Sequence, residues 1–152
     1  MQIDEKAVLI TGANRGIGRA LLEEALARGA ARVYAGTRTP FRHADPRVVP
    51  LDLDVTDEQG VRRAVDIIER LDVLINNVLL GPVDTDINRG LEIPKAAPLF
   101  AAKGILDGLA AREEDIFPDP MSQQLADGWR SGLVKSFERQ SAAAMPTAAE
   151  AA

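Results

Sequence analysis

The sequence predicts an α/β protein built on a doubly wound parallel sheet. Three observations lead there. Short apolar runs alternate along the chain with segments of helical period, the pattern of strands joined by crossover helices. The runs are continuous rather than alternating, as expected of strands buried on both faces. A glycine-rich turn at residues 11–18, "TGANRGIG", joins the first run to the first helical segment. The chain has 152 residues, enough for one domain with its own core. Residues 1–140 are read as that domain and the Ala-rich residues 141–152 as a flexible tail.

Residues 6–11, "KAVLIT", read as the first strand. In the helix that follows, Ile17, Leu21 and Ala25 share a face with Leu22 and Leu26 beside it, and Gly29 stands at the C-cap. Residues 32–36 and 48–54 are the second and third strands. Between them, residues 38–47 contain Pro40 and Pro46 and are expected to be mostly loop. Thr56 and Gln59 have the spacing of a capping box. Val61, Val65, Ile68 and Leu71 then mark the expected buried face of a helix, and residues 72–77 the fourth strand.

The second half reads differently. Pro98 suits a first helical position, and Leu99, Ala102, Leu106 and Leu109 repeat at helical spacing behind it. Residues 115–117 are expected as a brief strand closed by Pro118. Residues 121–140 are expected as one helix, with Leu125, Trp129, Leu133 and Phe137 on one stripe. That stripe covers either the protein's own core or a partner subunit.

Composition narrows the function. A net charge of −5 argues against general nucleic-acid binding. No cysteine is present, so disulfides, thiolate metal sites and thiol nucleophiles are excluded. The N-terminal residues lack the shape of a signal peptide and no apolar run approaches membrane-spanning length, so no membrane role and a cytoplasmic location are expected. Asp52, Asp54, Asp84 and Asp86 form no recognised metal-ligand pattern and read as turn or cap residues.

The chemistry-bearing feature is the glycine turn. Glycines allow a close approach of backbone to ligand, and the N-terminus of the following helix favours a diphosphate. The spacing is Gly-x-x-x-Gly-x-Gly. With Thr11 in front, the stretch resembles the short-chain dehydrogenase/reductase family. Leu53-Asp54-Val55 resembles the end of that family's third strand, and Asn76-Asn77 the start of the Asn-Asn-Ala-Gly motif closing its fourth. The resemblance is clear over residues 1–77 and looser over 81–139. It implies a partial Rossmann-like sheet of order 3-2-1-4 with remnant C-terminal strands and helices, and a bound dinucleotide. The implied contacts are Gly12, Asn14, Arg15, Gly16, Ile17 and Gly18 at the turn, Asp54 and Val55 at the adenine, and Asn76 at the fourth strand.

The second strand ends Gly36-Thr37-Arg38, without the acid that an NAD site usually places there. Arg15 and Arg38 together suit a ribose 2′-phosphate, favouring NADP(H) over NAD(H); the alternative is that both are merely solvated. The resemblance also implies a catalytic Ser, Tyr and Lys, with Tyr-x-x-x-Lys spacing, and no such set can be assembled. The one tyrosine, Tyr34, has Arg38 four residues on and reads as packing. The one histidine, His43, lies in the proline-containing loop and reads as solvated.

Gly81-Pro82-Val83-Asp84-Thr85 resembles the family's loop beside the nicotinamide, which adds Val83 and Thr85 to the implied contacts. It arrives almost directly after Asn77, so about two βα units are absent by this reading. Residues 78–80 are then the remnant of a sixth strand. The fourth strand would become an apolar edge. Residues 78–83 could fold back on it, they could extend it, or a second subunit could cover it; self-association through this edge or the C-terminal helix is expected. Two functions stay open: an NADP(H)-dependent carbonyl or alcohol oxidoreductase, and a non-catalytic nucleotide-binding or structural remnant.

Overall fold

β1 (Ala7–Thr11) is the central strand. In the computed structural model it lies between β2 (Arg32–Thr37) and β4 (Val73–Ile75), with β3 (Val48–Asp52) outside β2. The structure describes residues 2–39, 41–76 and 81–144. All pairings are parallel, and the order β3-β2-β1-β4 is the one expected. Register runs from Ala7 opposite Arg32 to Thr11 opposite Gly36, so β1 and β2 end level with one another. The expected remnant of a sixth strand, residues 78–80, lies outside the described residues.

Successive strand residues face opposite ways, and the two faces bury two clusters. Val8 and Ile10 pack with Leu21, Leu22, Ala102 and Leu106, under α1 (Gly16–Ala27) and α3 (Pro98–Ala111). Leu9 packs with Tyr34, Leu51 and Ala64 on the other face, under α2 (Glu58–Ile67). The α1 helix ends as its sequence predicts. Gly29 N–H donates to Leu26 O and Ala30 N–H to Ala25 O, a Schellman cap with Gly29 at φ 84°.

Residues 38–47 cross from β2 to β3 without a helix among the described positions. They lie over α1: Phe41 packs against the first cluster, with the Arg19 guanidinium 5.3 Å from its ring centre. Arg47 Nη1 donates to Leu26 O and Ala30 O. The same guanidinium bonds Asp45 and holds its carboxyl down at about 2. The loop that follows β2 is thereby fixed at its far end.

Several expectations are corrected. The cap of α2 is Asp57, whose carboxylate accepts from Gln59 N–H, because the Thr56 hydroxyl is spent on Asp54. The face α2 buries is Gly60 and Ala64, whose small side chains let it lie close, with Val61 and Ile68 beside them. Val65 is exposed, and Leu71 lies beyond the helix end, out of period. On α3, Ala101, Ala102, Ile105 and Leu106 are buried while Leu99 is exposed. Residues 115–117 are not a strand: no strand among the described residues pairs with them, and Ile116 packs over Gly108.

The single helix expected over residues 121–140 is two. α4 (Pro120–Ser131) and α5 (Leu133–Ala144) meet at Gly132, whose backbone is extended at ψ 156°. Glycine is a poor helix interior, and each half has a polar anchor of its own. Buried Asp119 caps α4 through Met121 N–H and Ser122 N–H, with the Ser122 hydroxyl returning the capping box. Lys135 on α5 is buried among Asp115, Glu114 and Glu138 at 2.9, 3.0 and 3.1 Å. Leu125, Trp129 and Leu133 of the expected stripe are exposed. Residues 145–152 of the expected tail lie outside the described residues.

Candidate nucleotide cleft

The C-terminal ends of all four strands open into one cleft of 610 Å³. It sits where the chain leaves β1 for β2 on one side and arrives at β4 on the other, the place where open α/β sheets bind ligands. Each strand contributes. β1 and the turn after it give Thr11, Gly12, Asn14 and Arg15; β2 and its loop give Gly36, Thr37, Arg38 and Thr39. The end of β3 gives Leu53, Asp54, Val55 and Thr56, and Asn76 closes the β4 side.

The turn is shaped by its glycines. Gly16 takes φ 53°, a left-handed conformation that suits glycine. A Cβ on Gly18 would run into the carbonyl of Gly12, so the turn folds tightly against the first helical residues. The N-cap of α1 is Arg15; its side chain makes no capping hydrogen bond, and no acid stands in the first turn. The N–H groups and positive dipole end around Gly16, Ile17 and Gly18 are thus left for an anion.

The walls are held by hydrogen bonds. Gly12 N–H donates to Gly36 O at 2.8 Å, pinning the turn to β2. Asn14 Nδ2 donates to Thr39 Oγ1 at 3.1 Å, and Thr37 Oγ1 to Thr39 O at 2.7 Å. The Thr11 hydroxyl donates toward Asn76 O and Oδ1 at 2.6 and 3.0 Å, tying the end of β1 to the end of β4. Asp54 is fixed by Thr56 N–H and Oγ1, both on Oδ1. Those two bonds, with the charge of Arg38, hold its carboxyl below the usual range. Arg15 and Arg38 are exposed, and neither makes a salt bridge among the described residues.

The structure therefore brings Gly12, Asn14, Arg15, Arg38, Asp54, Val55 and Asn76 to one cleft. Gly16, Ile17 and Gly18 stand behind its turn in α1. Val83 and Thr85 are outside the lining: Val83 is buried, and Thr85 Cγ2 comes within 3.3 Å of the position a Cβ would take on Gly16. Thr37, Thr39 and Thr56 were not singled out as site residues in the sequence. Their signal was positional, each lying within two residues of a candidate.

Two side chains outside the cleft complete the survey. Tyr34 is 1% exposed and its hydroxyl accepts from Glu69 N–H, in agreement with a packing role. His43 is not solvated as expected: its side chain is 9% exposed, beside Glu23 and Phe41. Nδ1 accepts from Asp45 N–H at 3.0 Å, which leaves the ring proton on Nε2, 3.2 Å from Glu23 Oε1. Among the described residues no group of three His, Cys, Asp or Glu side chains could hold a metal ion, and no helix is long and apolar enough to cross a membrane.

A parallel doubly wound sheet with a glycine turn at its switch point defines an α/β protein of the Rossmann-like kind. The sequence profile of the short chain dehydrogenases matches residues 6–90, more than half of the chain, and the chain belongs to that family. It is 36% identical over 89 residues to a sorbitol dehydrogenase of Cereibacter sphaeroides, covering 53% of this chain and 35% of that protein. It is 32% identical over 122 residues to the L-xylulose reductase of Homo sapiens, covering 70% and 48%. The chain spans about a third to a half of the lengths of these curated relatives. A crystal structure of a short chain dehydrogenase from Burkholderia cenocepacia, in complex with NADP, superposes with a TM-score of 0.78 at 22% identity, over 96% of this chain and 100% of that one. That likeness concerns the fold.

Proposed function

We propose that this chain is an NADP(H)-binding member of the short-chain dehydrogenase family whose own residues hold a dinucleotide and do not complete the carbonyl chemistry. The observation that carries the reading is the cleft itself. Its turn leaves the N-terminus of α1 uncapped by side chains, and two arginines without salt-bridge partners among the described residues flank it. The residues fit the group: a Cβ on Gly12 would meet nothing within 4 Å, so the backbone there faces open space.

In this reading Gly12, Asn14 and Gly16 to Gly18 hold the diphosphate, and Asp54, Val55 and Asn76 border the adenosine. Arg15 and Arg38 grip a 2′-phosphate, for which Arg offers paired donors that a hydroxyl does not need. No carboxylate stands at the end of β2 to receive a 2′-hydroxyl; the positions are Thr37, Arg38 and Thr39. This supports NADP(H) over NAD(H). Val83 and Thr85 belong to the site through the segment that closes on Gly16.

A bound NADPH supplies a hydride; reduction of a carbonyl also needs a proton donor. The buried Tyr34 hydroxyl, engaged by Glu69 N–H, is not placed to be one. This supports the non-catalytic reading over the oxidoreductase implied by descent. The junction in the sequence after Asn77 supports an internal truncation, in which the segment bearing the family's Ser, Tyr and Lys is absent. We also propose that a second copy covers the outer side of β4, which has no partner strand among the described residues.

The test is a titration with NADPH and with NADH, followed by addition of a panel of aldehydes and ketones. The expected result is tighter binding of NADPH and no substrate-dependent loss of absorbance at the reduced ring. No binding at millimolar concentration would overturn the cofactor reading. Turnover would restore the oxidoreductase.

A further inference from the structure

We propose that Thr37 is a positioning residue for cofactor choice: its buried hydroxyl folds the end of β2 so that Arg38 is aimed at the ribose 2′-phosphate, while Thr37 itself touches no phosphate. The inference rests on the NADP(H) reading above and concerns what holds the arginine that reads the ligand.

β2 leaves the sheet at Thr37. That residue is 4% exposed, in a place where an apolar side chain of the same shape would fill the space as well. Its hydroxyl donates to Thr39 O at 2.7 Å, across Arg38. Its carbonyl accepts from Leu53 N–H at 2.9 Å, which fastens it to the end of β3. Thr39 is held from the other wall, where its Oγ1 accepts from Asn14 Nδ2 at 3.1 Å. Arg38 is thus bracketed on both sides while its own side chain stays exposed. Its charge is felt at Asp54, whose carboxyl is held below the usual range first by Thr56 and then by Arg38. The guanidinium therefore lies on the cleft side of the bracket.

The two hydroxyls differ in what they have left to give. A phosphate dianion takes donors, not acceptors. The Thr37 proton is spent on Thr39 O, and the lone pairs that remain on its oxygen would repel a phosphate. The Thr39 oxygen accepts from Asn14 and keeps its own proton to give. Thr39 can therefore meet the ligand, whereas Thr37 can act only through the backbone it fixes. Without the Thr37 bond the chain after β2 is free to turn. Arg38 must then be ordered when the ligand arrives, at a cost to affinity.

The test is isothermal titration of the full chain with NADPH and with NADH, for the parent, Thr37→Val and Thr37→Ser, and for Arg38→Ala with and without Thr37→Val. Thr37→Val should weaken NADPH about fivefold, the size of one ordinary hydrogen bond, and leave NADH unchanged. Thr37→Ser keeps the hydroxyl and should bind as the parent does. In the Arg38→Ala background Thr37→Val should change nothing further, because the group it positions is gone. Should Thr37→Val not fold, Thr37→Ala removes the same hydroxyl with less volume and is read in the same way. The inference fails, and the NADP(H) reading stands, if the loss of the hydroxyl leaves NADPH unchanged, weakens both nucleotides alike, or costs the same fivefold without Arg38. It fails too if neither variant folds while Thr37→Ser does, since the hydroxyl then serves the fold. If the parent binds neither nucleotide at millimolar concentration, or binds NADH as tightly as NADPH, the underlying reading fails and this one with it.

Discussion

Gly18 is the residue on which the cleft turns. Any side chain there meets the Gly12 carbonyl, a backbone atom that cannot swing away. Gly18→Ala should therefore destabilise the fold by about 1–3 kcal/mol, the range for overpacking a rigid site, as read from the urea midpoint. Arg38 acts on the ligand instead. It is exposed and unpaired by salt bridge among the described residues, so Arg38→Ala should leave stability unchanged. It should weaken NADPH by about tenfold, the size of one lost charge-assisted contact, and spare NADH. Asp119 belongs to a third kind. Burial pushes its carboxyl up, but the bonds from Ser122, Gly81 and Met121 outweigh that and hold it below the usual range. A depressed carboxylate contributes stability above its unfolded pKa, and that contribution is lost as pH falls through the folded value. Melting temperature should thus fall below about pH 4, with a smaller fall in Asp119→Asn. An unchanged acid profile in that variant would refute the assignment. Arg15, Arg38 and Asp54 were legible in the sequence because they sit beside strand ends that the apolar pattern locates. Asp119 and Lys135 were not, since their partners Gly81 and Asp115 lie 38 and 20 residues away.

At the scale of elements, the strands were more legible than the helix faces. A run such as "KAVLIT" permits one reading, because a strand covered on both sides has no face to choose. A helix must choose, and small residues altered the choice. α2 turns Gly60 and Ala64 to the sheet rather than Val65, since a close approach buries more of its neighbours. The stripe of Leu125, Trp129, Leu133 and Phe137 suggested one helix by period alone, and period does not register that Gly132 can bend. What sets the position of α5 is Lys135, whose three carboxylate neighbours raise its pKa. Its charge is retained well above neutral pH, so the clamp weakens only when alkali strips the lysine or acid neutralises Glu114 and Asp115, both held below their usual values. Lys135→Ala should release α5. In hydrogen exchange the amides of residues 133–144 should approach the rate of unprotected ones while those of β1 and β2 keep theirs. Equal protection in the variant would show that packing, not the ion cluster, holds the helix.

At the scale of the whole molecule, the open side of β4 decides how the chain behaves in solution. Ala7 and Leu9 turn their N–H and C=O groups toward β4, and with Val8 opposite Val73 and Ile10 opposite Ile75 it is the N–H and C=O groups of Leu74 that point away from β1. No described strand receives them. Beside that edge Leu74, Met121, Leu125 and Trp129 line one hollow and are 55%, 54%, 64% and 44% exposed. Unpaired edges with apolar neighbours attract another edge. A second copy presents the same groups, and a twofold axis perpendicular to β4 would pair the two edges antiparallel and satisfy both at once. The chain should therefore run as a dimer or larger in size-exclusion chromatography with light scattering at micromolar concentration. Leu74→Lys should shift it to monomer, because a charged side chain on a short edge strand opposes pairing. The sheet order β3-β2-β1-β4 is unaffected by that change, since Leu74 is half-exposed and takes no part in either core cluster. Circular dichroism of the variant should then match the parent. A parent that elutes as a clean monomer would remove the second copy from the β4 edge, and the cleft at the strand ends would stand without it.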